Sequence, residues 1–440
     1  MDRIDGALLD RVLAAVDARA EEVIGFASEL IRQPSVNPDL EPNELAERPA
    51  QEWLRDRFAE GTTFDTVDFW EVAERRPNVV AVRTGSGGGR SLTWSAHTDV
   101  VPVTPEQAEQ WSGAGPFSGE VRDGKLWGRG ASDMKGAIAA YAMAARLLHD
   151  EGVRLRGDLI LAQACGEESG RRDIGCNTIL ERGYRSDLAI FPEPSDLAVY
   201  PTIKGELYFK LTVPGKSTHI CNRHLVAQAL PHGVERPGVS AIDNMLKYQL
   251  AILELEKQWL LWRTNPNVPS GGMFININTI QGGTSLTSIP DSCEATGSLL
   301  FYPDLSADEV MVEIRATIDR VTAGDAWLRE HPPVLDLPLD AESAAPWVKE
   351  PVNMPFDHPA VETISAAMER VVGVAPARQT SPFVCDANFW YPLGQPSLVF
   401  GVGDPTYGIH GTDELLPVAD LIQATKVFAA VTMAWCGVEG

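Results

Sequence analysis

The chain has 440 residues, 44% hydrophobic and 22% charged, with a formal net charge of −24. That length exceeds one ordinary core, so two domains are expected. The excess of carboxylates repels phosphate backbones and anionic lipids, which argues against nucleic acid or a membrane surface as partner.

The first twenty residues mix Asp, Arg and Glu with Leu and Val and hold no apolar signal core. No uncharged apolar run is long enough to span a bilayer, so a cytoplasmic protein is the expectation. The six cysteines (Cys165, Cys176, Cys221, Cys293, Cys385 and Cys436) are scattered without a C-x-x-C pair. They read as free thiols rather than disulfides or a cysteine zinc site.

Leu8, Val12, Val16, Ile24, Phe26 and Leu30 predict a helix over 7–32, stopped by Pro34, and a second follows around 45–59. Short apolar runs then predict strands at 78–82, 92–96, 159–164, 188–191 and 397–400, with helical segments such as 136–148 between several of them. Buried strands alternating with helices indicate an α/β domain with a largely parallel sheet flanked by helices. Gly85 to Gly89 lacks a following Gly-Lys-Ser/Thr, so it reads as a flexible hairpin rather than a phosphate loop.

The middle of the chain has another rhythm. Leu207, Phe209, Leu211 and Val213 alternate along a strand, a helix is predicted over 238–260, and strands follow at 273–280 and 292–302. Ser306 with Glu309 forms a capping box for a further helix, and 333–337 predicts a last strand. This β-α-β-β-α-β order suggests an inserted, smaller α+β domain. The expected organisation is 1–203 and 353–440 as the two parts of one domain, with 204–352 inserted.

Five residues share a placement at strand ends or strand-to-helix turns: His97, Asp133, Glu168, Glu193 and His410. The carboxyl ends of strands form the ligand-binding edge of an open α/β sheet, so these side chains are expected on one rim. Bare carboxylates so crowded would repel and protonate, whereas divalent cations neutralise them. Two imidazoles and three carboxylates suit Zn²⁺, with Co²⁺ or Mn²⁺ as alternatives. A carboxylate between two such ions can bridge them and leave room for a water of lowered pKa. Glu167 stands beside Glu168 as a base for that water. Taken singly, each residue has a plainer reading: His97 a hydrogen-bonding residue, Asp133 a helix N-cap, Glu167 and Glu168 a solvated turn, Asp99 a turn cap. Their common placement favours the metal reading.

The stretches Ser95-Ala96-His97-Thr98-Asp99-Val100-Val101-Pro102, Gly128-Arg129-Gly130-Ala131-Ser132-Asp133-Met134-Lys135-Gly136 and Gly166-Glu167-Glu168-Ser169-Gly170 resemble those of the M20 metallopeptidase family. So do Pro34 to Pro38, Pro192-Glu193-Pro194-Ser195 and Gly408-Ile409-His410-Gly411. That family includes acetylornithine deacetylase, succinyl-diaminopimelate desuccinylase, aminoacylases and glutamate carboxypeptidases. The resemblance implies a hydrolase of amide C–N bonds acting on an N-acyl amino acid, a small peptide or a related amide. His97, Asp133 and Glu193 would hold one metal, and Asp133, Glu168 and His410 the other, with Asp133 as bridge. Glu167 would be general base, and Asp99 would orient His97. The inserted domain would be a lid that also forms a homodimer. In it, His219 of Gly215-Lys216-Ser217-Thr218-His219 would stabilise an oxyanion, and Asn276 and Gly283 would contact substrate.

The sequence also departs from the family. Ser298 and Leu300 stand where an Asp-x-Arg is usual, and in relatives that arginine grips a substrate carboxylate. Lys204, Lys216 and Arg223 are candidate replacements. The segment 221–237, with His224 and His232, looks individual, and neither histidine reads as a ligand; His149, His331 and His358 read as structural. Two other functions stay open: a metal-dependent deaminase of a small amine or amidine, and a metal-binding protein without catalysis.

Overall fold

The computed structural model describes residues 6–221, 238–339 and 348–439. Arg223, His224 and His232 lie outside them. The chain divides into two compact units, Met1–Ile203 with Val352–Gly440, and Lys204–Pro351.

The first unit is built on a nine-stranded sheet among the described residues. In space its strands run Thr66–Ala73, Arg76–Arg83, Leu159–Ala164, Leu92–His97, Leu188–Phe191, Ser397–Val399, Val199–Ile203 and Val352–Asn353, with Arg378–Ser381 also pairing with Val199–Ile203. The four strands from Leu159–Ala164 to Ser397–Val399 are mutually parallel, and antiparallel pairs flank them. Leu92–His97, Leu159–Ala164 and Leu188–Phe191 are buried at every position, which is why they read as short, largely apolar runs. Trp94 shows what covers one face. It packs at a tilt against Phe428 of the helix Val418–Cys436, with ring centroids 4.4 Å apart, and stacks on Tyr141 of the helix Gly136–Asp150 at 6.1 Å. Phe191 meets Trp390 edge-on at 5.2 Å, within a separate apolar cluster that also holds Ile179 and Leu180.

The second unit carries an antiparallel sheet in the order Phe274–Gly282, Ser292–Phe301, Gly205–Pro214, Val334–Asp336, with Val348–Lys349 also on Gly205–Pro214. Burial alternates strictly along Gly205–Pro214. Its buried face packs with Met245, Tyr248 and Ile252 of the helix Ala241–Trp262 and Val310 and Ile314 of the helix Ala307–Gly324. Ser306 and Glu309 cap the latter reciprocally.

Two local expectations are corrected. Residues 7–32 form two helices, Gly6–Ala18 and Ala20–Arg32. Arg19 leaves the helical conformation between them, and its guanidinium is held by Glu22 and Asp150. The glycines 85–89 do not close a hairpin, because Leu159–Ala164 lies between the strands they connect. They thread past other backbone instead. A Cβ on Gly85 would stand 2.4 Å from the Arg156 carbonyl oxygen, and one on Gly89 2.0 Å from that of Cys436. The segment needs glycine for close approach rather than for flexibility.

Candidate metal centre

His97 ends its strand fully buried, and its Nδ1 lies 2.9 Å from the main-chain oxygen of Asp99. The Asp99 carboxylate is farther, 3.7 Å from Nδ1. It is occupied by other donors: Glu167 N at 3.2 Å, Glu168 N at 3.0 Å and Asn37 Nδ2 at 2.7 Å. Asp99 thus touches both His97 and the turn after Leu159–Ala164. Its main chain meets His97, while its side chain pins the turn that carries Glu167 and Glu168. That turn leaves the strand Leu159–Ala164 through Gly166, whose φ of +81° favours glycine. Asn37, from the Pro34–Pro38 stretch, reaches Asp99 because its own N–H donates to the Val100 carbonyl at 3.0 Å.

Asp133 is not a helix cap. It has φ −123° and ψ 91°, and the helix begins only at Gly136. Its side chain lies between two imidazoles. Oδ1 is 3.2 Å from Nε2 of His97, and Oδ2 is 3.3 Å from Nε2 of His410. Glu193, buried just after Leu188–Phe191, brings Oε2 to 3.9 Å from Nε2 of His97. Glu168 brings Oε1 to 3.2 Å from Nε2 of His410. His410 sits at φ +59° in the loop after Ser397–Val399, half exposed at its side chain. The five strand-end residues thus converge.

Their electrostatics are those of an uncompensated cluster. Burial opposes ionisation of Asp133, yet His410 and His97 hold it well below the usual carboxylate range. Burial, with Asp133 nearby, pushes Glu168 up to about 7, and burial drives Glu193 well above its ordinary value. Asp133 and Glu168 push His410 up to about 10. Burial pulls His97 down, but Asp133, Glu193 and Asp99 together raise it well above normal. Oδ1 of Asp133 is buried and accepts no hydrogen bond. One ligand atom each of His97, Asp133 and Glu168 lie within 4.8 Å of one another. A buried oxygen that accepts no hydrogen bond, facing an imidazole nitrogen among carboxylates, fits a divalent cation.

Three residues of this region escaped the sequence reading. Arg129 and Glu414 are both buried and pair at 2.7 Å. Asp386, also buried, stands near enough to Glu193 to help raise its carboxyl. Arg129 lies inside a quoted motif, and Glu414 four residues after His410, but nothing local marks them as partners. His219, Asn276 and Gly283 belong to the second unit. His219 is exposed, with Nδ1 3.0 Å from Cys221 Sγ and a bridge to Ser288. Asn276 lies opposite Ser298, and Gly283 turns at φ +76°. Lys204 is buried there and donates to the Gly272 carbonyl at 3.4 Å. His149 meets Thr62 Oγ1 at 3.2 Å, His331 stacks on Trp327 and His358 caps a helix, all structural contacts.

Comparison with known proteins adds to this geometry. The sequence model of peptidase family M20/M25/M40 matches residues 93–434. An N-formyl-4-amino-5-aminomethyl-2-methylpyrimidine deformylase of Halalkalibacterium halodurans is 31% identical, over 98% of this chain and 98% of its own. A succinyl-diaminopimelate desuccinylase of Methylorubrum extorquens is 30% identical, over 94% of this chain and 98% of its own. Among solved structures, a tripeptidase of Staphylococcus aureus shares the fold at a TM-score of 0.68 and 16% identity, covering 94% of this chain and 98% of that one. No helix among the described residues is long and apolar enough to cross a membrane.

Proposed function

This chain belongs to peptidase family M20/M25/M40, and from that premise we propose that it is a two-metal hydrolase that removes a small acyl group, formyl foremost, from an amine lacking an α-carboxylate. The observation that carries the two-metal reading is the division of Asp133: one oxygen faces His97, the other His410. His97, Asp133 and Glu193 would hold the first cation, and Asp133, Glu168 and His410 the second. Zn²⁺ suits this donor set best, and Co²⁺ or Mn²⁺ can replace it. When bound, the cations polarise the substrate carbonyl and lower the pKa of the attacking water.

The protein supplies the rest. Glu167, on the turn pinned by Asp99, takes the water's proton and returns it to the leaving nitrogen. His219 donates to the developing oxyanion. The substrate class follows from the inserted unit. Ser298 and Leu300 replace the family's acidic and arginine residues. Around them, Asn276 donates to Asn278, and Asn278 donates to Ser298 Oγ at 3.4 Å. Neutral amides and a hydroxyl offer no bidentate grip for a carboxylate, and they suit a neutral heteroaromatic amine. The likeness to a deformylase named for a pyrimidine substrate supports the same reading.

A homodimer through the inserted unit fits the surface. Leu246, Leu250 and Leu253 of the helix Ala241–Trp262 are 54%, 59% and 49% exposed. Phe274–Gly282 is an edge strand of the same unit. An apolar helix stripe in the unit that carries an open edge suits a second copy, joined about a two-fold axis. Cys165, Cys176, Cys293, Cys385 and Cys436 are buried free thiols, in keeping with the cytoplasm.

The test is a metal-reconstituted assay of N-formyl aminomethylpyrimidines, N-succinyl-diaminopimelate and N-acyl amino acids, with formate, ammonia and free amine measured. The expected result is formate and amine in equal amounts, without ammonia. Release of ammonia would favour the deaminase, and preference for the carboxylate-bearing substrates would overturn the substrate class.

A further inference from the structure

We infer that the buried pair Arg129–Glu414 is a strut that sets the distance between Asp133 and His410, and so builds the second cation site in particular. The inference rests on the two-metal reading above.

The geometry is specific. Oε1 of Glu414 accepts three main-chain N–H groups, those of Gly130, Ser132 and Asp133, each at 3.1 Å. These are the N–H groups of the turn that presents Asp133. Oε2 accepts from Arg129 Nη1 at 2.7 Å. The other arm of the same guanidinium, Nη2, donates to the carbonyl of Gly411, next to His410, at 3.0 Å. Two further bonds close the tie: Gly128 N–H donates to the Glu414 carbonyl at 2.9 Å, and Ser132 Oγ donates to that of Leu415 at 2.8 Å. The segments beyond are locked together by pairing of Lys125–Trp127 with Leu415–Pro417. One carboxylate thus holds the Asp133 turn, and one guanidinium links it to the His410 loop.

The energetics favour placement over stability. Arg129 and Glu414 are 1% and 0% exposed. Desolvating two charges costs about as much as their attraction returns, so the ion pair itself adds little net stability. What a fork-shaped guanidinium and a carboxylate provide is direction at four fixed atoms. His97 and Glu193 receive no bond from the pair, whereas Asp133 serves both sites and His410 only the second. Loosening the arm to Gly411 should therefore weaken the second site more than the first.

Two variants test this. Glu414→Gln keeps an acceptor for the three N–H groups but turns an amide donor toward Arg129. Arg129→Lys keeps the charge beside Glu414 but loses the second arm to Gly411. Cation stoichiometry and the two affinities would be measured by competition with a chromophoric chelator for Zn²⁺, alongside the melting temperature of the metal-free chain. For Arg129→Lys the expected result is a second affinity weakened about 10- to 100-fold, a first affinity changed far less, and a metal-free melting temperature near wild type; Glu414→Gln, which loosens the Asp133 turn, should weaken both. If Glu414→Gln fails to fold, Arg129→Lys decides alone. Wild-type affinity for both cations in Arg129→Lys would overturn the strut. So would equal weakening of both in step with a lower melting temperature, which is the mark of a merely structural pair. A wild-type chain that binds fewer than two cations would instead overturn the two-metal reading, and the strut with it.

Discussion

His97 and His410 approach opposite oxygens of one carboxylate: His97 Nε2 stands 3.2 Å from Oδ1 of Asp133, and His410 Nε2 stands 3.3 Å from Oδ2. A carboxylate that served only as a hydrogen-bond acceptor for one imidazole would not need this symmetry. Glu193 joins the His97 side and Glu168 the His410 side. The arrangement divides into two donor sets with one shared member, which is the pattern a bridged metal pair requires.

Glu167 and the ligands separate by their variants. Glu167→Gln should leave both cations bound and lower kcat about 10²- to 10⁴-fold, the usual worth of a positioned base. His410→Ala should reduce bound metal as well as turnover. Metal content and steady-state rates measured on the same preparations check both. Full activity in Glu167→Gln would remove the base assignment.

Metal binding should release protons. Without a cation, Asp133 and Glu168 push the His410 pKa up to about 10, so its imidazole is charged at pH 7. A cation needs the neutral ring. The proton must therefore leave at pH 7, and affinity should rise with pH until about 10. Calorimetric titration of Zn²⁺ into metal-free protein, in buffers of different ionisation enthalpy, reads the protons released. Zero release at pH 7 would contradict the coupling.

The apolar stripe makes a prediction about assembly. Leu246→Glu with Leu250→Glu should convert a dimer to a monomer, because it places like charges at the centre of a symmetric contact. Sedimentation velocity checks it. A wild-type chain that sediments as a monomer would remove the dimer from the proposal.

Gly157 offers a stability test away from the site. A Cβ there would stand 1.9 Å from the Arg90 carbonyl oxygen, so the backbone must shift. Gly157→Ala should cost about 1–3 kcal/mol. The urea midpoint should fall without a change in slope.

Much of this was legible in the chain because chemistry and local pattern coincide. His97, Glu168 and Glu193 follow short, largely apolar runs, and a strand buried on both faces announces its own end. The strict alternation of Leu207, Phe209, Leu211 and Val213 likewise announced a half-covered sheet. What failed depended on partners far along the chain. Arg129 finds Glu414 across 285 residues, and in isolation each reads as a surface charge. Gly85 to Gly89 looked like a hairpin because nothing nearby shows that Leu159–Ala164 will insert between the strands it joins. The family resemblance ties Asp99 to His97, but nothing local shows that its carboxylate also serves the Glu167 turn, 68 residues on. Arg19 breaks a helix without glycine or proline, held by Asp150 from elsewhere in the unit.

The most direct test of the two-metal centre is anomalous diffraction from crystals of the zinc-loaded protein. Two peaks are expected, one on each side of Asp133. The first should lie about 2.0–2.2 Å from ligand atoms of His97 and Glu193, the second at the same distance from Glu168 and His410. A single peak, or a pair that does not share Asp133, would contradict the account.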